Sequence, residues 1–85
     1  MSINAAERAE KLESERAVLV KAESDIQNGW RRLHNQEDLI RELQAAGHDT
    51  RQAKRLLELL KDTLVEWERH RILIKQRVAY LEEEC

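Results

Sequence analysis

The sequence predicts an all-α fold: an antiparallel two-helix coiled-coil hairpin that dimerises into a four-helix bundle. Three observations carry this. Leu and Ile recur every seven residues through both halves of the chain. The only strong punctuation is the stretch Ala45-Ala46-Gly47-His48-Asp49-Thr50. The 85 residues hold no Pro and two Gly, with 38% charged and 41% apolar. That composition suits long helices and lacks the corner residues of a turn-rich β fold. The length argues for a single domain over 1–85.

Helix 1 is expected over about 5–46. Asn4 followed by Glu7 resembles a capping box, with Ile3 just before it. Leu12, Leu19, Ile26, Leu33 and Ile40 then form one unbroken line of the seam. The companion line, three residues on, is Glu15, Ala22, Gly29, Gln36 and Leu43, mostly small or polar.

The turn is expected at 47–49. Gly47 suits the left-handed position just past a helix end, where a Cβ is penalised. His48 belongs to the turn. Asp49 caps the next helix, with Gln52 at its third position completing a capping box. Thr50 is an alternative cap, but Ala53 in its third position cannot return the bond.

Helix 2 is expected over about 50–83. Its seam runs Ala53, Leu57, Leu60, Leu64, Trp67, Arg71, Ile74, Val78, Leu81, Cys85 in alternating steps of four and three. That is a heptad seam with one polar exception, Arg71. A strict seven-residue period implies left-handed supercoiling.

A short turn makes the helices antiparallel. Ile40 should face Leu57, Leu33 should face Leu64, and Gly29 should face Trp67. A mid-helix Gly costs about 1 kcal/mol against Ala, so room for an indole gives Gly29 a reason. The competing reading is that Asn28-Gly29 breaks helix 1 and produces a three-helix bundle. Arg71 should face Ile26, its stem packed and its head reaching water, Asp25 or Glu23. A sharper reading makes Arg71 a polar residue that sets register or partner choice. Gln36 should face Leu60.

More apolar residues lie off the seam than a two-stranded hairpin needs. Trp30, Leu39, Leu56, Leu59, Leu73 and Tyr80 form the candidate interface, and Val18, Val20, Val65 and Ile72 also lie off the seam. An apolar surface of that size marks a partner. A second copy is the expected one, because two-fold homodimers are the commonest oligomers. Another helical protein is the alternative.

No catalytic, cofactor or metal site is legible. His34, His48 and His70 are the only histidines, and no two stand at i, i+3 or i, i+4. None has a convergent nucleophile or carboxylate that can be argued. The expectation is therefore a protein that is not an enzyme. Cys85 is the only cysteine, so no internal disulfide can form. Met1 to Lys11 are polar, with no apolar signal stretch, and no apolar run approaches a membrane span. A cytoplasmic protein with no membrane partner is expected. Residues 51–77 carry eight basic and four acidic side chains. The net charge is −2, and no helix-turn-helix signature is present, so nucleic acid is not the expected partner. The run Glu82 to Glu84 is unfavourable at a helix C-terminus, so fraying is expected near Cys85.

The stretch from Leu43 through Gly47-His48-Asp49-Thr50 to Ala53, Leu56 and Leu57 resembles small, uncharacterised proteobacterial helical-hairpin proteins. Their pattern is Leu-x-x-x-Gly-His-Asp-Thr-x-x-Ala-x-x-Leu-Leu. The resemblance spans roughly Leu33 to Leu73, and Met1 to Asn28 departs from it. It implies a bacterial source and a hairpin, and no functional residue carries over. The leading expectation for function is a small interaction or scaffold protein acting through self-association or helix binding. The alternatives are a regulator docking on a signalling or transcription protein, and a nucleic-acid-associated protein using the basic face of helix 2.

Overall fold

The computed structural model describes residues 4–83. Two helices, α1 (Ala5–Ala45) and α2 (Arg51–Glu83), pack against each other as a hairpin about 64 Å long. No helix among the described residues is long and apolar enough to cross a membrane. Ile3, Glu84 and Cys85 lie outside the described residues, and with them the expected fraying and the last seam position. α1 runs unbroken through Asn28-Gly29. That overturns the three-helix alternative: the apolar period continues through Gly29, and a single glycine does not outweigh it.

The chain ends of each helix are satisfied locally. At the start of α1, the Asn4 side chain accepts the Glu7 N–H at 2.8 Å and its amide donates to the Glu7 carboxylate at 3.1 Å. At the end of α1, the His48 N–H bonds the Leu43 carbonyl at 2.9 Å and the Gly47 N–H bonds the Gln44 carbonyl at 3.1 Å. This paired arrangement is the Schellman motif, and it needs a left-handed residue past the cap. Gly47 supplies it with φ 73°. α1 therefore stops at Ala45, one residue before the expected end.

α2 begins at Arg51, and its first helical bond runs from the Lys54 N–H to the Thr50 carbonyl at 2.9 Å. The Asp49 carboxylate accepts the Arg51 N–H at 3.0 Å. The same carboxylate takes the Arg51 guanidinium, with Nη2 to Oδ2 at 2.8 Å. The expected capping box is corrected here: the reciprocal partner of Asp49 is Arg51, not Gln52. The Arg51 side chain holds the Asp49 carboxyl below its ordinary range, and the Arg51 backbone bond adds to this.

Every buried residue among those described lies on the seam, while Leu19, Leu43, Leu57 and Leu60 are half-buried there and Trp67 is exposed. Leu12, Ile74, Val78 and Leu81 form the main cluster, with Ile74 at 0% exposure. Ile26, Leu33, Ile40 and Leu64 continue the buried line toward the turn. Cross-helix pairs such as Arg16 with Glu82 and Glu15 with Arg77 span the seam in the antiparallel register.

Two seam residues depart from expectation. Gly29 is buried, and a Cβ there would lie 2.7 Å from a Leu64 methyl and 3.2 Å from the Trp67 ring. Leu64 is thus the closer neighbour, and Trp67 stands 39% exposed with its ring edge over the glycine. Gln36, expected to face Leu60, is held by a hydrogen bond instead. Its amide donates across the seam to the Ala53 carbonyl at 2.9 Å.

Two outcomes follow from this packing. Gly29→Leu forces side-chain bulk into a filled site, at a cost of about 1–3 kcal/mol. A thermal melt should fall by roughly 4–8 °C per kcal/mol, and an unchanged melt would show that Gly29 is not there to admit Leu64 and Trp67. Asp49→Asn keeps an acceptor for the Arg51 N–H but loses the charge. A lowered folded pKa contributes stability that is present above the unfolded value and is lost as pH falls through the folded value. Melts of the two proteins from neutral pH downward should therefore differ most at neutral pH and converge in acid. A pH-independent difference would remove the ion pair from the account.

Candidate functional site

In an antiparallel hairpin the residues beside the seam fall on two opposite flanks. Trp30, four residues after Ile26, lies on one flank. There it lines a groove of about 630 Å³ with Val65 and Ile72 of α2, over a floor that includes Leu33 and Leu64. The Trp30 and His34 rings lie 6.3 Å apart at 30°, and His34 Nδ1 stands 3.2 Å from Glu37 Oε1. Glu37, Lys61, Glu68 and Arg69 make the charged rim.

The opposite flank carries Leu73 and Tyr80. They line a smaller hollow of about 360 Å³ with Lys11, Glu15 and Arg77, where the Arg77 guanidinium donates to Glu15 at 3.1 Å. A recess between Asp25 and His70, beside Ala22 and Trp67, marks the same side. Leu39 stands two heptads beyond Asp25, and Leu56 two heptads before His70, so both belong to this flank. Leu59 is two heptads before Leu73 and lies there as well.

The candidate interface is therefore two surfaces, not one. Leu39, Leu56, Leu59, Leu73 and Tyr80 share a flank, and all five are exposed. Trp30, also exposed, faces the other way beside Val65 and Ile72, which the sequence reading left out of the interface. The signal was available. Trp30 follows a seam residue by four and Leu39 follows one by six, and those offsets point to opposite sides of the seam.

Arg71 sits at its seam position with its side chain 31% exposed. One guanidinium nitrogen lies 3.0 Å from Glu68 and another 3.8 Å from Glu23 of α1. Its Nε is buried without a hydrogen-bond partner. The stem packs while the head reaches outward, and Glu23 rather than Asp25 receives it. Asp25 is taken by Lys21 at 3.1 Å.

His48 and His70 are exposed, and the described residues contain no group of three or more His, Cys, Asp or Glu placed to hold a metal. In the basic stretch of α2, Arg51, Lys61, Arg69, Arg71 and Arg77 each have an acidic neighbour within salt-bridge distance. Five of the eight basic residues of the stretch are thus interleaved with carboxylates. No protein-family model, curated protein or solved structure matches this chain.

Arg71→Leu replaces an under-bonded polar group at the seam with an apolar one, while Glu23 and Glu68 keep access to water. Such replacements are neutral to stabilising. The melting temperature should rise by several degrees, corresponding to about 1 kcal/mol. If Arg71 sets partner choice, sedimentation velocity should also show more than one oligomer. A drop in stability would mean that the pairs to Glu23 and Glu68 hold the hairpin together.

Proposed function

We propose that this chain is a small, non-enzymatic helical interaction or scaffold protein that acts by self-association. One observation supports this above the others. Among the described residues, eleven large apolar side chains are exposed while eight hydrophobic residues are buried. Scattered exposed Leu or Val would need no explanation. Here the exposed set includes Trp30, Trp67 and Tyr80 and gathers along two flanks of a thin hairpin. Surfaces of this kind mark association sites.

Packing a second hairpin against one flank gives a four-helix bundle, in which that flank becomes core. The energetic motive is simple. A hairpin of this length buries a single stripe, and chains of this size need additional burial to be stable. Homodimerisation is the economical solution for identical chains, since one surface serves both protomers.

A second reading is favoured by the existence of two unlike flanks. If one flank is covered by a second copy, the other still presents Leu73 and Tyr80. It could receive an amphipathic helix from another protein, as a docked regulator would. The interleaved acids of α2 give the nucleic-acid alternative no comparable support.

Equilibrium sedimentation across the micromolar range tests self-association. The expected result is a mass of two chains that dissociates on dilution, with melting temperature rising with concentration. A single-chain mass at every concentration, with helicity retained, would sink the reading.

A further inference from the structure

We infer, on the basis of the self-association reading, that the second copy docks on the Trp30 flank, about a two-fold axis running parallel to the helices. α1 of each protomer then lies against α2 of its partner.

The choice of flank and axis rests on charge. Arg16 of α1 and Glu82 of α2 pair at 3.4 Å on the Trp30 flank, which fixes two positions at the same height along the hairpin. One heptad step along both helices keeps the height matched, so Glu23 is level with Lys75. A further two steps bring Glu37 level with Lys61, and both line the Trp30 groove. The step between them sets Trp30 level with Glu68, which already pairs with Arg71 at 3.0 Å, and the other three level pairs are each acid with base.

A two-fold axis parallel to the helices leaves every height unchanged and swaps α1 for α2. It therefore sets the partner's Lys61 against Glu37 and the partner's Lys75 against Glu23. Trp30, Val65 and Ile72 of both copies meet at the middle of the interface. Leu33 and Leu64, already at the floor of the groove, become its centre. The surface is complementary to itself, as a two-fold interface requires.

The perpendicular two-fold does worse. Centred on the groove, it reverses α2 against the partner's α2. Glu68 then meets the partner's Glu68, and Lys61 comes near the partner's Lys75. Like charges facing each other in a closing interface cost several kcal/mol in general. The opposite flank also does worse. Its line through Leu59, Leu73 and Tyr80 is interrupted by Glu66, and its cross-helix pair of opposite sign, Glu15 with Arg77, is already closed at 3.1 Å within one hairpin.

The ion pairs the rim residues make within one hairpin do not prevent this. Lys61 with Glu58 and Arg69 with Glu66 are exposed pairs between neighbouring turns of one helix. Exposed pairs of that kind contribute little and can exchange partners.

Two measurements on the full chain test the assignment. Val65→Glu and Tyr80→Glu each add a charge at an exposed helical position, one per flank, and circular dichroism confirms that both variants fold. Sedimentation should show dimer affinity weakened at least tenfold by Val65→Glu and changed less than threefold by Tyr80→Glu. Any other pattern in a wild-type dimer overturns the flank while leaving self-association standing. A wild-type monomer overturns both. For the axis, a nitroxide is placed at His48→Cys in a Cys85→Ser background and the dimer distance is measured by pulsed electron resonance. The parallel axis puts both turns at the same end, so the separation should be less than half the 64 Å hairpin length. A longer separation overturns the axis.

Discussion

A helix in a hairpin can bury only the stripe that faces its neighbour, about three residues in every seven. In this chain that stripe takes Leu12, Ile26, Leu33 and Ile40 from α1, and Leu64, Ile74, Val78 and Leu81 from α2. Everything else in the structure depends on this limit. It sets where the apolar surplus must go, which is onto the flanks. It also explains why the residues between the two buried lines are small or long-stemmed. Gly29 lets Leu64 and Trp67 approach the α1 backbone. Gln36 and Arg71 keep their stems at the seam and send their polar heads to a carbonyl or to carboxylates.

The reversal at Gly47 is what turns the limit into a fold. Without a left-handed residue after Ala46, the Leu43 and Gln44 carbonyls would lose the bonds that close α1. The helix would have reason to continue toward α2. With Gly47 in place, the chain turns in five residues between Ala45 and Arg51. Asp49 then meets α2 with a carboxylate where the first N–H groups and the Arg51 side chain both need an acceptor. Local chemistry at the turn and long-range packing along the seam favour the same antiparallel arrangement. Agreement of that kind between levels is what specifies a single structure.

Much of this was legible before any coordinates. The seven-residue period locates every buried residue among those described, because a repeat that never slips leaves no freedom in which face is inside. Gly47 was legible for the same reason, since one residue type satisfies the cap. What the sequence left ambiguous were choices between neighbours of similar chemistry. Arg51 competed with Gln52 for Asp49, and the guanidinium won because it offers several charged donors at once. Leu64 competed with Trp67 for the space at Gly29, and the smaller branched side chain came closer while the indole leaned outward. The two flanks are not separated by hydrophobicity alone, which groups Trp30 with residues that lie across the seam from it. Heptad offsets, applied to every apolar residue rather than to the seam alone, divide them correctly.

The division of the flanks also bears on what the charges are for. Glu23, Glu37, Lys61 and Lys75 are ordinary surface residues when the hairpin is viewed alone, and surface pairs contribute little to its stability. Their matching heights contribute nothing that folding of one hairpin needs, because the seam already fixes the register. The same matching gains a consequence once a second hairpin is laid on the Trp30 flank. There the pairs border a surface that excludes water, where charge complementarity governs orientation more than affinity. An apolar groove alone would accept a partner in several directions. The acid and base lines along its two walls leave one direction in which a second copy meets opposite charges at the levels of Arg16, Glu23 and Glu37, with Trp30 level with Glu68 between them.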